Sequence, residues 1–436
     1  MRLLVTNTQT AQAYAVVRAL RPHAELIVAT ISGARPLGIW PTCHAAYSRL
    51  VDRRYRVPDP ERDWHEGRIQ PENTEREQKF IDAIVDVCDR ENIDTVFPTN
   101  DDWVYVFSKN KERLAERGVI VPVPDYETVI KPLDKYRTIQ CAEEAGFPAP
   151  RTYLPTSDAD LIRIAGELDP PWVIKPRFTT GSRGLAVVDR VPELLTLTRK
   201  IERRHGMPTI QEYIPGTGKQ NFYLVLDRNG EARSVFTPKV VRVLGRVTRN
   251  LTAACVTSRP HPFSERAVRL LRTMGWWGGA TLQCKLDERD GQPKLLEVNP
   301  RLGTHLWFRT EVGINEPLLC LQIARGDPIT ASTDYPLDCM LLQPIEDAIG
   351  LPFEILDLLV YRLRTAILGK RALDLSTPPM MLRTRFASYW QQYVGHEARR
   401  FSPYFRYAFE DPLPALIWSS KLLQMNVRAT MQSLGR

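Results

Sequence analysis

One stretch restricts this chain more than any other: Gly278-Gly-Ala-Thr-Leu-Gln283-Cys-Lys-Leu, the polar Asp287-Glu-Arg-Asp290-Gly291-Gln-Pro293, then Lys-Leu-Leu-Glu297-Val-Asn299-Pro-Arg301. It reads as two short strands joined by a turn whose Asp-Gly pair favours a hairpin. Side chains alternate faces along a strand, so Glu297 and Asn299 project the same way, and a closed hairpin sets Gln283 opposite them. One carboxylate and two amide oxygens then meet in a hard-oxygen site suited to Mg2+ carrying nucleotide phosphates. Arg301, just past the second strand, adds a fixed cation for a phosphate or carboxylate. An exposed hairpin with ordinary polar decoration is the plain alternative, and the upstream segments count against it.

From residue 1 to about 130 the chain alternates strand-like and helix-like pieces: Leu3-Leu4-Val5, the helical period of Thr10 to Leu20, Leu26-Ile27-Val28, and later Thr74 to Arg90. In the last of these Phe80, Ile81, Ile84, Val85 and Val87 have the spacing of a buried helical stripe. Thr95-Val96-Phe97 is a short strand, a helix follows to Arg117, and Val119-Ile120-Val121 reads as another strand. Such alternation predicts a small parallel sheet covered by helices. Thr99-Asn100-Asp101-Asp102 lies at a strand's carboxyl end, where open α/β sheets bind ligands. A helix N-cap with surplus acid explains it equally well. The first strand runs into Thr6-Asn-Thr-Gln-Thr10 with no Gly-x-Gly-x-x-Gly, which disfavours dinucleotide binding. Residues 33 to 72 give no clear pattern.

Pro132-Leu-Asp-Lys135 opens a helix to Gly146. Pro171 to Val188 is strand, polar turn, strand: Lys175 closes the first strand, and Thr179, Thr180, Gly181, Ser182, Arg183 and Gly184 form the turn. Backbone N–H groups and hydroxyls of such a loop cradle an anion, and Lys175 adds a point charge beneath it. A Gly-Ser turn in an ordinary hairpin is the competing reading. Gln211-Glu212-Tyr213-Ile214-Pro215-Gly216 is a strand running into a turn. Gly216-Thr-Gly218-Lys219 imitates a P-loop, but the required spacing is absent and Gln220 follows the lysine. Strands at Phe222–Leu226, Ser234–Phe236 and Ala253–Thr257 flank the spaced cations Lys239, Arg242, Arg246 and Arg249, which either form a solvated face or line an acidic ligand's pocket. A helix from Ser264 to Met274 leads into the hairpin, and Pro317 suits the first turn of a helix from Glu316 to Arg325. His305 either takes part in chemistry or simply caps and packs.

Composition sets the outer limits. At 436 residues the chain has room for two or three domains. Its net charge of +8 suits anionic partners, and no basic run or RNA-binding signature points to nucleic acid. Seven scattered cysteines without a Cys-x-x-Cys pair read as reduced thiols of a cytoplasmic protein, and Met1-Arg-Leu-Leu leads directly into a strand, unlike a signal peptide. No apolar run reaches the roughly 18 residues of a membrane span. Beyond about residue 336 the pattern turns to helices with wide apolar faces, Phe353–Leu368, Met380–Tyr393 and Pro414–Met431. They pack on the remainder of the chain or offer a peripheral surface to a membrane's inner face or a partner protein.

Taken in order, Lys135, Lys175 with its Gly/Ser loop, Gln211 to Gly216, and Gln283 with Glu297-x-Asn299-Pro-Arg301 resemble the ATP-grasp superfamily, in its carbamoyl-phosphate-synthase-like and carboxylate–amine ligase branch. The resemblance covers residues 1 to about 330. It implies an α/β, then α+β, architecture: a Rossmann-like pre-ATP-grasp domain over 1–130, an ATP-grasp domain over 131–335 with subdomains 131–210 and 211–335, and a helical extension over 336–436. It further implies that Lys135 and Lys175 hold the α- and β-phosphates of ATP and that Thr179 to Gly184 close over them. Gln211, Glu212, Tyr213 and Ile214 fall where the family recognises adenine. Gln283, Glu297 and Asn299 match its Mg2+ (or Mn2+) ligands, and Arg301 matches the arginine at the γ-phosphate. Many relatives place a Glu after the adenine segment to hold the ribose, where this chain has Lys219-Gln220. The implied reaction joins a small-molecule carboxylate to an amine through an acyl phosphate, with ADP released. A non-catalytic ATP-binding scaffold and a membrane-docked assembly protein are the alternatives. Lys239, Arg242 and Arg309 are candidates to orient the acceptor carboxylate, and a homodimer is compatible with all of this.

Overall fold

The computed structural model describes residues 1–32, 43–60, 67, 69–181, 183–243 and 252–344, together with shorter pieces between 347 and 434. The chain forms two compact units, one built from residues 1–33, 49–237 and 260–335, the other from 34–48, 238–259 and 336–436.

The first unit begins with a four-stranded parallel sheet made from β1 (Arg2–Val5), β2 (Leu26–Ile31), β3 (Arg53–Arg56) and β4 (Thr95–Phe97), in the order β3-β2-β1-β4. The apolar runs of β1, β2 and β4 are buried, as strands of a covered parallel sheet must be. Helix Glu75–Glu91 packs its Phe80, Ile81, Ile84, Val85 and Val87 stripe into the core and starts with a capping box between Thr74 and Glu77. Two details depart from the sequence pattern. The edge strand β3 reads Arg-Arg-Tyr-Arg, with no apolar alternation, and is held by β2 and by Arg53 and Tyr55 bonding the buried Glu91 carboxylate. Val119–Val121 contributes a single bridge, Ile120 to Thr95, in place of a strand.

An antiparallel sheet follows: β5 (Thr152–Tyr153), β6 (Trp172–Lys175), β7 (Ala186–Val188) and β8 (Thr209–Glu212), in the order β5-β8-β6-β7. Helices Asp158–Glu167 and Val191–His205 cover it over a core of Leu161, Ile164, Trp172, Ile174, Leu194 and Ile210. Next come β9 (Lys219–Leu226) and β10 (Ala232–Phe236). The strands β11 (Lys239–Val243) and β12 (Thr252–Val256) belong to the second unit, and the chain then returns to the first with β13 (Gly278–Leu286) and β14 (Pro293–Asn299). Strands β10-β9-β13-β14 form the third sheet, antiparallel throughout. Phe222, Leu224, Ala280, Leu282, Leu295 and Val298 turn one face of it into the core, so period-2 alternation commits the other face to polar side chains.

The second unit holds β11 and β12 together with β15 (Cys339–Leu342) and β16 (Arg399–Phe401), in the order β11-β12-β15-β16. The expectation of a helical extension over 336–436 is thus corrected for its described residues. Cys339-Met-Leu-Leu342, four apolar residues and too short for a helix, is a fully buried strand. Helix Pro412–Leu434 matches the expected third helical segment. Most of Phe353–Leu368 and Met380–Tyr393 lies outside the described residues, as do Arg246 and Arg249. Among the described residues, no helix is long and apolar enough to cross a membrane.

Candidate nucleotide and metal site

The hairpin register decides the centre of the site. Gln283 of β13 stands directly opposite Glu297 of β14, and on its other side opposite Asn221 of β9; Thr281 likewise pairs with Asn299 and with Tyr223. Directly opposed residues share a face, so Asn221, Gln283, Glu297 and Asn299 lie together on the polar side of the sheet. The turn that sets this register closes through Gly291 N–H donating to the Asp287 carbonyl at 2.7 Å, with Gly291 at φ +69°. A β-bulge at Gln283/Cys284 bends the hairpin beside the site.

Three lysines face the Glu297 carboxylate. Lys175, at the end of β6, donates to Leu296 O at 3.1 Å and to Gln211 Oε1 at 3.3 Å, tying the second sheet to the third. Burial pushes its ammonium down to about 8, against the pull of Glu297. Lys135 opens helix Lys135–Glu144, capped by Asp134, which accepts from Tyr136 N–H at 3.0 Å. Asp134 also grips the Arg177 guanidinium, and Lys135 Nζ bonds the Thr179 carbonyl, so the capped helix and the 176–179 turn are locked together. Burial lowers the Lys135 pKa, with Glu297, Asp101 and Asp134 opposing. Lys219, at the start of β9, is also depressed to about 8 by burial and raised in turn by Glu297.

Lys135, Thr179, Thr180, Glu297, Asn299 and Asp101 line a small open cleft. The loop above it has Gly181 at φ +64° and Gly184 at φ +73°, conformations for which glycine is suited, while Arg183 bonds Thr180 Oγ1 at 2.6 Å; Ser182 lies outside the described residues. Arg301 donates to Asn299 Oδ1 at 2.9 Å and pairs with Asp101 at 3.3 Å, both residues of the cleft lining. Asn299 Nδ2 is buried with no hydrogen-bond partner. This donor set suits a hard divalent cation carried by phosphates: one carboxylate, two amide oxygens, and surrounding ammonium groups that favour polyanions. Among the described residues no cluster of three or more His, Cys, Asp or Glu competes with it.

Gln211 and Glu212 end β8, and Tyr213 and Ile214 follow directly after it. Gln211 donates to Thr152 Oγ1 at 2.8 Å while accepting from Lys175. Glu212 is held by Arg289 at 2.7 Å and by Arg151 N–H at 3.1 Å, and Lys285 sits over the Tyr213 ring at 4.8 Å. After Arg301 the chain crosses the sheet face so closely that a Cβ on Gly303 would lie 2.4 Å from Tyr223.

Two of the three expected substrate-orienting cations, Arg242 and Arg309, are committed to buried carboxylates. Arg242 belongs to the second unit, fully buried and bonded to Asp347 through both Nη atoms (2.5 and 2.6 Å) and to Gln392 at 2.8 Å. A guanidinium committed to a buried carboxylate is a structural ion pair, which corrects its reading as an acceptor-orienting residue. Lys239 is exposed on β11 of the same unit. Arg309 is buried in the first unit, where it pairs with Glu316 at 2.8 Å, donates to the Thr304 carbonyl at 2.8 Å and stacks over Tyr223 at 4.2 Å. It holds the loop after Arg301 and is not open to an acceptor. His305 is the N-terminal cap position of helix Leu306–Glu311, at φ +61°. The residues to which pattern reading gave no role beside Glu297 are Lys219, noted only with the false P-loop and as a departure at the ribose position, and Asp101, read only as part of a polar cluster. The signal for Lys219 was its parity with Asn221, which stands opposite Gln283.

Residues 134–330 match the family model of the carbamoyl-phosphate synthase L chain, ATP binding domain. The carbamoyl phosphate synthase large chain of Thermomicrobium roseum is 25% identical over 170 residues, 37% of this chain and 16% of that one. A D-alanine--D-alanine ligase of Ectopseudomonas mendocina is 33% identical over 84 residues, 19% of this chain and 27% of the ligase. The chain therefore spans a minor part of the length of these curated relatives. Among solved structures, biotin carboxylase from Campylobacter jejuni in a β,γ-ATP complex superposes with a TM-score of 0.59 at 16% identity, over 75% of this chain and 72% of that one. The biotin carboxylase domain of Hydrogenobacter thermophilus 2-oxoglutarate carboxylase, with MgADP and bicarbonate, gives 0.59 at 16% identity over 78% of this chain and 73% of that one.

Proposed function

The chain is a member of the ATP-grasp superfamily, and from that premise we propose that it is an ATP-dependent carboxylate–amine ligase that works through an acyl phosphate. The observation that carries this reading is the Glu297 carboxylate, opposed to Gln283 and met by the field of three lysines from separate elements. In this reading residues 1–130, 131–335 and 336–436 are the pre-ATP-grasp domain, the ATP-grasp domain and the C-terminal extension. Lys135 and Lys175 hold the α- and β-phosphates, the Thr179–Gly184 loop closes over them, and Gln211 to Ile214 receive adenine. Gln283, Glu297 and Asn299 hold Mg2+, which supplies charge neutralisation at the transferring phosphoryl group when bound. Arg301 faces the γ-phosphate.

Phosphoryl transfer needs positioning and neutralisation of charge more than a protein nucleophile. The substrate carboxylate oxygen attacks the γ-phosphorus, ADP leaves, and the acyl phosphate carbon is then attacked by an amine, expelling phosphate. Buried lysines suit this role because fixed cations in a dry site act more strongly than in water. The test is ADP release with pooled carboxylates and amines, followed by mass spectrometry of the product. Glu297→Ala and Arg301→Ala are each expected to lower ADP release at least about a hundredfold, as loss of a transition-state contact does, with circular dichroism unchanged. Mg-ATP binding without ADP production across the whole panel would instead identify a non-catalytic scaffold.

A further inference from the structure

Resting on the nucleotide site of the ligase reading, we propose that Lys219 and Lys285 form a phosphate subsite within it, and that the site also takes a nucleotide bearing a further phosphate monoester on its ribose. The strand register brings the two lysines together. Lys285 of β13 stands directly opposite Lys219 of β9, two residues along an unbroken ladder from the Gln283–Asn221 pair. Both lysines therefore rise from the polar face that carries Glu297. On its other side Lys285 faces Lys294 of β14, which is held by Asp290 at 2.6 Å. Like charges opposed across a ladder repel, and three in a row across three strands is an arrangement that an anion stabilises. The exposed Glu288 and Asp287 act on Lys285 through space. Asp287 is at the same time bonded by Arg289 at 2.6 Å, and Arg289 also holds Glu212 at 2.7 Å.

The place of the pair between the two ends of the proposed site decides what it can hold. Lys285 Nζ lies 4.8 Å from the Tyr213 ring, in the segment read as receiving the base. Lys219 lies in the field of Glu297, which also acts on Lys135 and Lys175, the lysines read as holding the phosphates. A nucleotide laid from base to phosphates therefore passes its sugar beside the pair. Ribose hydroxyls are neutral and add no charge against two half-buried ammonium groups. A phosphate monoester adds about two negative charges and three acceptor oxygens. An ammonium is a compact point charge with three donors, suited to such a group.

The full-length protein is loaded with ADP, and AMP, adenosine 2′,5′-bisphosphate and adenosine 3′,5′-bisphosphate are each titrated in by displacement calorimetry at one salt concentration. A further titration uses AMP with inorganic phosphate present. One of the bisphosphates is expected to bind about tenfold more tightly than AMP, the worth of one hydrogen bond to a charged group. Lys285→Gln is expected to erase that ratio and Lys285→Arg to keep it, with thermal unfolding showing each protein folded. Bisphosphates that bind no better than AMP, or a ratio that survives Lys285→Gln, overturn the proposal. So does inorganic phosphate that tightens AMP to the same degree, which assigns the lysines to a separate phosphate ion. ADP that fails to bind the unmodified protein removes the nucleotide reading itself, and this inference with it.

Discussion

At the scale of single residues, the chemistry of the site follows from where charge is buried. Lys175 and Lys219 each stand at about 8 instead of the ordinary 10.5, because burial penalises the ammonium more than Glu297 favours it. Each is therefore partly neutral near pH 8, and phosphate binding draws it back to the charged form. ADP binding is expected to take up protons around pH 8 and to weaken as pH rises above it, by up to about tenfold per pH unit for each lysine coupled to phosphate. Calorimetry at pH 7, 8 and 9 in buffers of different ionisation enthalpy measures both effects; affinity that is flat over this range excludes these lysines from the phosphate site. The shared face of Glu297 and Asn299 was legible from strand alternation alone, with Arg301 just past the strand's end. Lys219 was not, since its motif was rejected as a P-loop and its neighbours across the sheet were unknown.

At the scale of elements, the Asp134 cap does two things. It accepts the Tyr136 N–H at the start of helix Lys135–Glu144, and it clamps Arg177 so that the 176–179 turn sits beside Lys135. Asp134→Ala is expected to cost about 1–2 kcal/mol of stability and to weaken ADP binding, read by thermal unfolding and by calorimetry on the same protein. Stability lost with ADP affinity intact would show that the turn is positioned by other contacts. The hairpin of β13 and β14 was readable because Asp290-Gly291 sets a turn and apolar residues alternate on either side. Edge strand β3 was not readable, because an Arg-rich edge gains its order from β2 and Glu91, which are distant in sequence. Ile120 shows the converse: three β-branched residues imitate a strand, yet only one forms a bridge.

At the scale of the molecule, the two units draw on interleaved stretches of chain, and the second contains the buried Arg242–Asp347 pair. Asp347→Ala leaves an uncompensated guanidinium and is expected to destabilise that unit by about 3–5 kcal/mol. A lower-temperature unfolding transition should appear in calorimetry while ADP affinity is retained; loss of ADP binding in the folded variant would return Arg242 to the site.

The order of charged and polar motifs, their strand or helix setting and the hairpin face were determined by the sequence itself, because turn chemistry and the two-residue period act over a few neighbours. Which cations meet Glu297, and which are consumed by Asp347 or Glu316, was decided only by tertiary structure. A charge has no preferred partner in a linear sequence; burial supplies one, by making any group left alone too costly to keep ionised.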